Sequence, residues 1–213
     1  AADYQNRFEA FVVAIRAGCG RPSLPFYWVQ LGRYQFPEHV ASWTALRHAQ
    51  LACEGTVPPP SGMVAALDLA LVAAIHLRTR ALSEGGRRLA VLAARVQLGE
   101  TARHPGPRPV PIVPKGGYPQ RIEIHFAGVN GKLRAKGRLA GFTVRDADGK
   151  DLNIIFDQFL DPEHPDQVIL ETQVTWRYAP FPEGAFVHYG YETDPYVNIE
   201  DEAGMAVPAF RMP

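Results

Sequence analysis

The sequence predicts an α/β layer built on a parallel sheet, followed by an antiparallel β-sandwich-like domain. Helix and strand patterns alternate early in the chain, a proline-rich segment interrupts them, and short strands separated by turns follow. The first pattern is typical of α/β layer structures and the last of sandwiches. We therefore expect an α/β layer over residues 1–104, a stiff proline-rich linker over 105–118 and a β-sandwich-like domain over 119–213.

The chain opens with a predicted helix and then a predicted strand. The apolar residues of the helix recur at the spacing of one helix face, and they are Tyr4, Phe8, Phe11, Val12 and Ile15. Gly18 and Gly20 end this helix. The aromatic-rich run Pro25–Leu31 that follows predicts a short buried strand.

A second helix, a second strand and a third helix complete the predicted layer. Pro37 and Glu38 open the second helix, since proline fits a first helical turn, and its apolar side is formed by Val40, Trp43 and Leu51. Beyond the loop Gly55–Gly62, the almost continuously apolar run Met63–Leu71 predicts a strand buried on both faces of a parallel sheet. The third helix has as its inner stripe Leu89, Leu92, Ala93 and Val96.

The second half of the sequence is rich in strand and hairpin signals. Strands are predicted at residues 122–126, 152–156, 168–170 and 174–178, the first from the alternation of apolar and polar side chains. Asn130-Gly131 and Asp148-Gly149 each predict a hairpin turn. A late group of aromatic residues could stack on sugars or form core and hairpin pairs. It consists of Trp176, Tyr178, Phe181, Tyr189, Tyr191 and Tyr196.

Composition excludes several classes of protein. The 213 residues contain no apolar run long enough for a membrane span, and the beginning of the sequence does not resemble a signal peptide. The 22 basic and 22 acidic residues balance, which argues against a nucleic-acid partner. Cys19 and Cys53 either pair or are two buried small apolar residues, and no Cys/His spacing suggests a metal site. Gly18-Cys19-Gly20 is a helix stop, so no nucleotide cofactor is expected.

His76 is the strongest candidate for a functional residue. It follows the predicted strand Met63–Leu71, and open α/β sheets bind ligands beyond the carboxyl ends of their strands. A histidine there can act as a general base, although it can equally be a polar loop residue. Gln30 and Tyr34 flank the end of the first strand, where they could contact a ligand or could serve packing.

Two further kinds of polar residue need an explanation. Asp68 interrupts an apolar run, and a buried carboxylate needs hydrogen bonds or a charged partner, so it is either structural or functional. His125 and His188 alternate with apolar residues, which predicts that both face solvent.

Four stretches, in order, resemble the sialate O-acetylesterase family of SGNH-type carbohydrate esterases. The first contains Tyr4, Phe8, Arg16, Leu24-Pro25-Phe26 and Val29-Gln30-Leu31, and the second contains Trp43, Arg47 and Gln50. The third contains Gly62-Met63, Asp68-Leu69, Ile75-His76 and Arg88-Leu89-Ala90. The fourth contains Val174, Arg177-Tyr178, Asn198, Gly204 and Pro208-Ala209-Phe210-Arg211.

The resemblance implies that residues 1–104 are the C-terminal portion of an SGNH-type esterase domain. Such enzymes remove O-acetyl groups from sugars by serine attack, with a histidine as base and an oxyanion hole. His76 matches the histidine. The family's serine and oxyanion donors belong to its N-terminal half, so the implied partners are an O-acetylated carbohydrate and that half or a second chain. The family also favours an extracytoplasmic location.

The sequence departs from the family pattern beside His76. Ala74 replaces an aspartate and Leu77 replaces a proline, while Ala70 and Leu71 replace a Gly-Asp pair. The four serines, Ser23, Ser42, Ser61 and Ser83, occupy no matching motif. Two interpretations remain open, namely one part of an active esterase or a degenerate, non-catalytic carbohydrate-binding relative.

Overall fold

The chain divides into two compact units. The structure is a computed structural model that describes residues 3–110, 113–115, 121–172 and 184–213. Unit 1 comprises Ala1–Pro105 and Glu192–Asp194, and unit 2 comprises Gly106–Tyr191 and Pro195–Pro213. The division into three segments stays a prediction, because the proposed linker lies partly outside the described residues. No helix of the described part is long and apolar enough to cross a membrane.

Unit 1 alternates helices with two parallel strands. In chain order it contains α1 (Tyr4–Gly18), β1 (Phe26–Val29), a 3-10 helix (Pro37–His39), α2 (Val40–Ala52), a 3-10 turn (Cys53–Gly55), β2 (Ser61–Val64) and α3 (Thr79–Leu98). The strands β1 and β2 are parallel, with Trp28 opposite Met63. This arrangement confirms the mixed α/β character of the first half and the order of its elements.

The second strand is much shorter than the predicted strand Met63–Leu71. It ends at Val64, and most of the apolar residues beyond it remain buried in irregular structure, namely Ala65, Ala66, Leu67, Leu69 and Leu71. The backbone turns there, since the Leu69 amide donates to the Ala66 carbonyl at 3.2 Å. An apolar run reports burial rather than extended backbone, so the prediction of a long strand was wrong.

The buried faces of the helices also differ from the predicted stripes. In α1, Val12 is fully buried, but Phe11 is 52% exposed and Ile15 is 37% exposed. The buried residues of α2 are Thr44, Arg47 and Gln50, all polar, rather than the predicted apolar side. Those of α3 are Ala81, Arg88 and Leu92, of which Leu92 was predicted.

An aromatic and aliphatic core joins the helices of unit 1 to its strands. Its buried members are Val12, Trp28, Cys53, Val57 and Met63. The ring of Phe8 contacts the ring of Trp28 edge-on, with centroids 5.3 Å apart. Cys53 is buried and Cys19 is exposed, and both are free thiols. The two therefore do not pair, and the expectation of two buried cysteines holds for Cys53 but is wrong for Cys19. Burial, with Glu9 adding to it, raises the pKa of the Cys53 thiol.

Unit 2 consists of antiparallel strands. They are β3 (Arg108–Pro109), β4 (Val113–Lys115), β5 (Arg121–Ala127), β6 (Leu133–Ala135), β7 (Phe142–Arg145), β8 (Ile155–Leu160), β9 (Gln167–Thr172), β10 (Phe186–Tyr189), β11 (Ile199–Asp201) and β12 (Phe210–Met212). The order in the largest sheet is β3-β5-β9-β8, with β4 also beside β5. Smaller sheets have the orders β12-β10-β7 and β11-β6. Alternation along β5 is confirmed, because Ile122, Ile124 and Phe126 are buried.

One hairpin signal is confirmed and the other is not. At Asp148-Gly149 the chain turns back, the Gly149 amide donating to the Asp146 carbonyl at 3.0 Å. Asn130-Gly131 forms no β5–β6 hairpin, because β6 pairs with β11 instead. Asn130 donates through its backbone and side-chain nitrogens to the Asp201 carboxylate, at 3.1 and 2.6 Å, which ties this turn to β11.

Several expectations for unit 2 concern single side chains. His188 is buried, at 6% exposure, rather than solvent-facing as predicted, while the His125 side chain is 41% exposed. Tyr189 is a core residue, in contact with Phe142 and Phe210. The predicted strand 174–178, with Trp176 and Tyr178, and the nearby Phe181 lie outside the described residues.

Candidate active site

His76 lies on a loop between β2 and α3 whose backbone is closed at its base. Leu71 and Leu77 pair across the loop in an antiparallel bridge, and the Val72 amide donates to the His76 carbonyl at 2.8 Å. The Arg78 side chain donates to the Leu71 carbonyl, also at 2.8 Å. The His76 side chain is exposed. The structure therefore fixes the backbone at His76 and leaves its imidazole accessible to a ligand.

The loop after β1 contacts the loop of His76. The Gln35 amide donates to the Ala74 carbonyl at 3.0 Å. The carboxyl ends of parallel strands share one edge of their sheet, so the chain segments that follow β1 and β2 can meet there. This contact brings the predicted site residue Tyr34 into the neighbourhood of His76.

Four rings next to this contact form an aromatic cluster, which consists of Tyr34, Phe36, His39 and Trp43. The Tyr34 ring stacks on the Trp43 indole, with centroids 4.5 Å apart and an interplanar angle of 18°. Phe36 and His39 contact Tyr34 at centroid distances of 5.0 and 5.8 Å. Phe36 and His39 are exposed, whereas Tyr34 and Trp43 are half-buried. The cluster is thus a partly open aromatic surface.

Gln30 occupies a different environment from Tyr34. Its side chain is fully buried, and its amide nitrogen donates to the Arg47 carbonyl at 3.0 Å. Gln50 makes a second connection between the same two elements, in which its side-chain oxygen accepts from the Leu31 amide at 2.8 Å. These bonds attach β1 to α2, and they favour the packing alternative for Gln30.

Arg47 is a structural residue of this region that hydrophobic periodicity did not reveal. Its guanidinium donates to the carbonyls of Leu31 and Gly32, at 3.1 and 2.6 Å, and also to those of Glu192 and Thr193. Burial lowers the Arg47 pKa to about 9, although the nearby Asp194 carboxylate opposes this effect. Arg47 therefore stays charged near pH 7. The available signal was the spacing of Trp43, Arg47 and Gln50, which the family resemblance includes.

The segment Glu192–Asp194 also binds the loop after β1. The Tyr34 amide donates to the Thr193 carbonyl at 2.9 Å, and Arg33 forms an ion pair with Asp194. Glu192 adopts a positive φ of 73°, which is uncommon for a residue other than glycine. These three residues belong to unit 1 although the chain on both sides of them belongs to unit 2.

Asp68 serves a structural ion pair. Its two carboxylate oxygens accept from the two terminal nitrogens of Arg88, at 2.7 and 2.6 Å. Arg88 is 1% exposed and also donates to the Ala65 carbonyl at 2.9 Å. The pair fastens α3 to the irregular segment after β2. It supports the structural alternative for Asp68, with an arginine as the main partner.

Three of the four serines are engaged in local hydrogen bonds. The hydroxyls of Ser42, Ser61 and Ser83 donate to the carbonyls of His39, Val57 and Thr79, at 3.1 to 3.2 Å. Within the described ranges no serine is bonded to the His76 side chain. Over the same ranges, no group of three or more His, Cys, Asp and Glu side chains is arranged to hold a metal ion.

Comparison with known proteins supports the family resemblance. Residues 1–95 match the model of the family described as carbohydrate esterase, sialic acid-specific acetylesterase. A crystal structure of a carbohydrate acetylesterase from Xanthomonas citri shares the fold, with a TM-score of 0.76 and 24% identity over 99% of this chain. This chain covers 46% of the Xanthomonas citri chain. A search of curated proteins gives no match.

Proposed function

We propose that this chain is the histidine-bearing part of a serine-type carbohydrate O-acetylesterase. The observation that carries the proposal is His76, exposed on a fixed loop inside the segment that matches the carbohydrate esterase family. The neighbouring aromatic cluster provides a surface for a sugar. The structural neighbour is itself a carbohydrate acetylesterase, which agrees with this assignment.

The proposed reaction needs a serine from a polypeptide segment outside this sequence. The serine oxygen attacks the acetyl carbonyl while the His76 imidazole accepts the hydroxyl proton. His76 then returns that proton to the departing sugar oxygen, and a water molecule activated in the same way releases acetate from the acetyl-enzyme. Oxyanion donors, also outside this sequence, stabilise the tetrahedral intermediates.

The same proposal assigns a finer fold to each unit. Unit 1 corresponds to the C-terminal part of an SGNH-type layer, of which β1 and β2 form the described pair of parallel strands. Unit 2 corresponds to a sandwich-like domain, supported by its antiparallel sheets and by the alternating burial along β5.

A non-catalytic carbohydrate-binding role is the alternative. Ala74 stands where the family has an aspartate, so no side chain at this position can orient the His76 imidazole. Under this alternative the protein binds sugars saturably but releases no acetate.

The decisive experiment replaces His76 in the protein expressed from its complete coding sequence. His76→Ala should lower acetate release from O-acetylated xylan about a thousandfold, the scale of a lost general base. His164→Ala is the matched control, since His164 is an exposed histidine of unit 2, and should leave the rate unchanged. Full activity of His76→Ala would refute the assignment of the base. A wild-type protein that binds acetylated xylan without releasing acetate would favour the alternative.

A further inference from the structure

We propose that the aromatic cluster is a platform on which the sugar ring of the substrate stacks. The inference rests on the proposed function, because it places an acetylated pyranose beside the loop of His76. It goes further by assigning sugar recognition to Phe36 and Tyr34, in a site separate from the reacting imidazole.

Hydrogen bonds to the backbone fix Trp43 and Tyr34, two members of the cluster. The Trp43 indole nitrogen donates to the Gly32 carbonyl at 3.1 Å, which fixes the ring that lies under Tyr34. The Tyr34 backbone is fixed in turn by its bond to the Thr193 carbonyl. Phe36 contacts the Tyr34 ring and is 44% exposed. A ligand therefore meets aromatic faces that are already positioned, which reduces the entropy cost of binding.

A pyranose ring suits this surface better than an anionic or flexible ligand does. Aromatic faces carry the negative part of the ring quadrupole, so they attract the weakly positive C–H groups on the flat face of a sugar. Binding sites for small ligands combine such apolar faces with a few polar groups that fix orientation. The half-buried Tyr34 and the exposed His39 supply polar atoms at the edge of the cluster.

The cluster lies close enough to His76 for one small ligand to contact both. The bond from the Gln35 amide to the Ala74 carbonyl joins their loops at 3.0 Å. Gln35 is flanked in sequence by Tyr34 and Phe36, and Ala74 is two residues before His76. Two residues of extended chain span about 7 Å at most. A sugar of one or two rings can therefore stack on the cluster while its acetyl ester reaches the imidazole.

The test compares two acetate esters in the protein expressed from its complete coding sequence. Methyl 6-O-acetylglucopyranoside carries a sugar ring, and ethyl acetate carries none. Phe36→Leu keeps apolar bulk but removes the aromatic face, so the KM for the sugar ester should rise about tenfold with kcat unchanged. The kcat/KM for ethyl acetate should not change. Phe36→Trp keeps an aromatic face, so its KM for the sugar ester should stay close to that of wild type. The control is Phe156→Leu, since Phe156 is an exposed phenylalanine of unit 2.

Each other outcome has a definite meaning. An unchanged KM in Phe36→Leu overturns the platform even if His76→Ala abolishes acetate release. Equal losses on both esters also overturn it, because they indicate a general structural defect. If the wild-type protein hydrolyses neither ester, acetate release from O-acetylated xylan still tests the proposed function, and titration with methyl glucopyranoside tests the platform alone. Saturable binding that is lost in Phe36→Leu and kept in Phe156→Leu supports it, and no binding overturns it.

Discussion

Buried arginine side chains connect the irregular segments of unit 1. Arg16 donates to the carbonyls of Leu24, Pro58 and Pro60 at 2.8 to 2.9 Å. Arg47 and Arg88 act in the same way on other segments. A guanidinium offers five N–H donors in a rigid plane, so one side chain can satisfy carbonyls that have no partner in a helix or sheet. The loops beside the candidate site are ordered by these bonds as well as by apolar packing.

The residue two positions before His76 offers a direct test of the proposed chemistry. Ala74 is half-buried, and its carbonyl already accepts from Gln35. In Ala74→Asp a carboxylate could accept from the His76 ring and hold the tautomer that a general base requires. We expect the rate of acetate release by the protein from its complete coding sequence to rise about tenfold or more.

The control for this change is Ala74→Asn, which has nearly the same shape and no charge. It should give no comparable gain, because an amide does not stabilise the imidazolium as a carboxylate does. Equal rates for wild type and Ala74→Asp would show that another group orients His76. Acetate release under saturating O-acetylated xylan is the quantity to measure.

Protonation of His188 should destabilise unit 2 in acid. Burial, together with the charges of Arg145 and Arg211, lowers the pKa of His188 to about 4, while Asp151 opposes the shift. The unfolded chain binds this proton near pH 6.5, so the unfolded state takes up more protons between pH 6.5 and 4. Stability should fall by about 3 kcal/mol as the pH drops through this window and be unaffected by this group above it.

Other carboxyl groups also titrate in acid, so His188 must be isolated by comparison. The difference in unfolding free energy between wild type and His188→Gln, measured by denaturant titration at several pH values, removes their common contribution. The unfolding free energy of wild type minus that of His188→Gln should decrease as the pH falls from 6.5 to 4. A pH-independent difference, or an imidazole NMR titration near pH 6.5, would contradict the prediction.

At the scale of single residues, the sequence singled out His76 and Tyr34, and the catalytic role of His76 stays a prediction. His76 was selected because it follows the apolar run Met63–Leu71, although the strand predicted from that run ends at Val64. Apolar periodicity did not reveal the burial of Arg47, because it treats an arginine as a surface residue, and only the family resemblance singled this residue out. Burial of His188 was missed for a related reason. Alternation along β10 identifies two faces, but it cannot tell whether the second face is covered.

At the scale of elements, α2 shows how a polar face can be the buried one. Its inner side carries Thr44, Arg47 and Gln50, and the last two bind the backbone at the end of β1. The buried residues on that side are polar, so hydrogen bonds rather than apolar burial attach α2 to the end of β1. Pro37 opens the 3-10 helix that leads into α2, so α2 begins three residues after its predicted start, whereas the identity of its inner face depended on tertiary partners.

The turn before β7 should depend strongly on a glycine. Gly141 has φ +117°, and a Cβ there would lie 2.7 Å from a ring carbon of the buried Tyr189 and 3.0 Å from Val197. Gly141→Ala combines backbone strain with overpacking, so we expect a loss of about 3 kcal/mol or more in unfolding free energy. Denaturant unfolding of the complete chain measures it.

A second glycine separates the two contributions. Gly137 has φ +86°, but a Cβ there would meet nothing within 4 Å. Gly137→Ala should therefore cost only the backbone strain, about 1–2 kcal/mol. Equal losses at the two positions would show that the contact with Tyr189 is relieved by movement and that strain alone accounts for the effect.

The two hairpin signals show why a local sequence pattern predicts the conformation of a turn better than it predicts which strands pair. Asn-Gly favours a positive φ, and Gly131 does adopt φ +71°. The strand that follows pairs with β11, about 65 residues later in the sequence, and Asp201 of β11 binds Asn130 of the turn. Turn conformation is decided within a few residues, whereas strand pairing is decided by the whole sheet.

At the scale of the whole molecule, unit 1 has an unusually small sheet for its class. Parallel strands normally lie in larger sheets with both faces covered. Among the described residues, β1 pairs with β2 and neither strand has a further neighbour. Unit 1 also exposes Val72 at 67% and Leu98 at 75%, in addition to Phe11. Unpaired strand edges and exposed apolar side chains both promote association with another polypeptide.

The chain of 213 residues produced alone should therefore associate with itself. Burial of apolar surface contributes about 25 cal/mol of stabilising free energy per Å², and surface that stays in water does not gain it. The free strand edges also offer a template for pairing. Light scattering coupled to size-exclusion chromatography should show aggregates or oligomers, which co-expression with the proposed serine-bearing segment should convert into one discrete species. A monodisperse monomer that melts cooperatively would contradict this, because unit 1 would then be complete without a partner and the proposed split of the catalytic residues would lose its structural support.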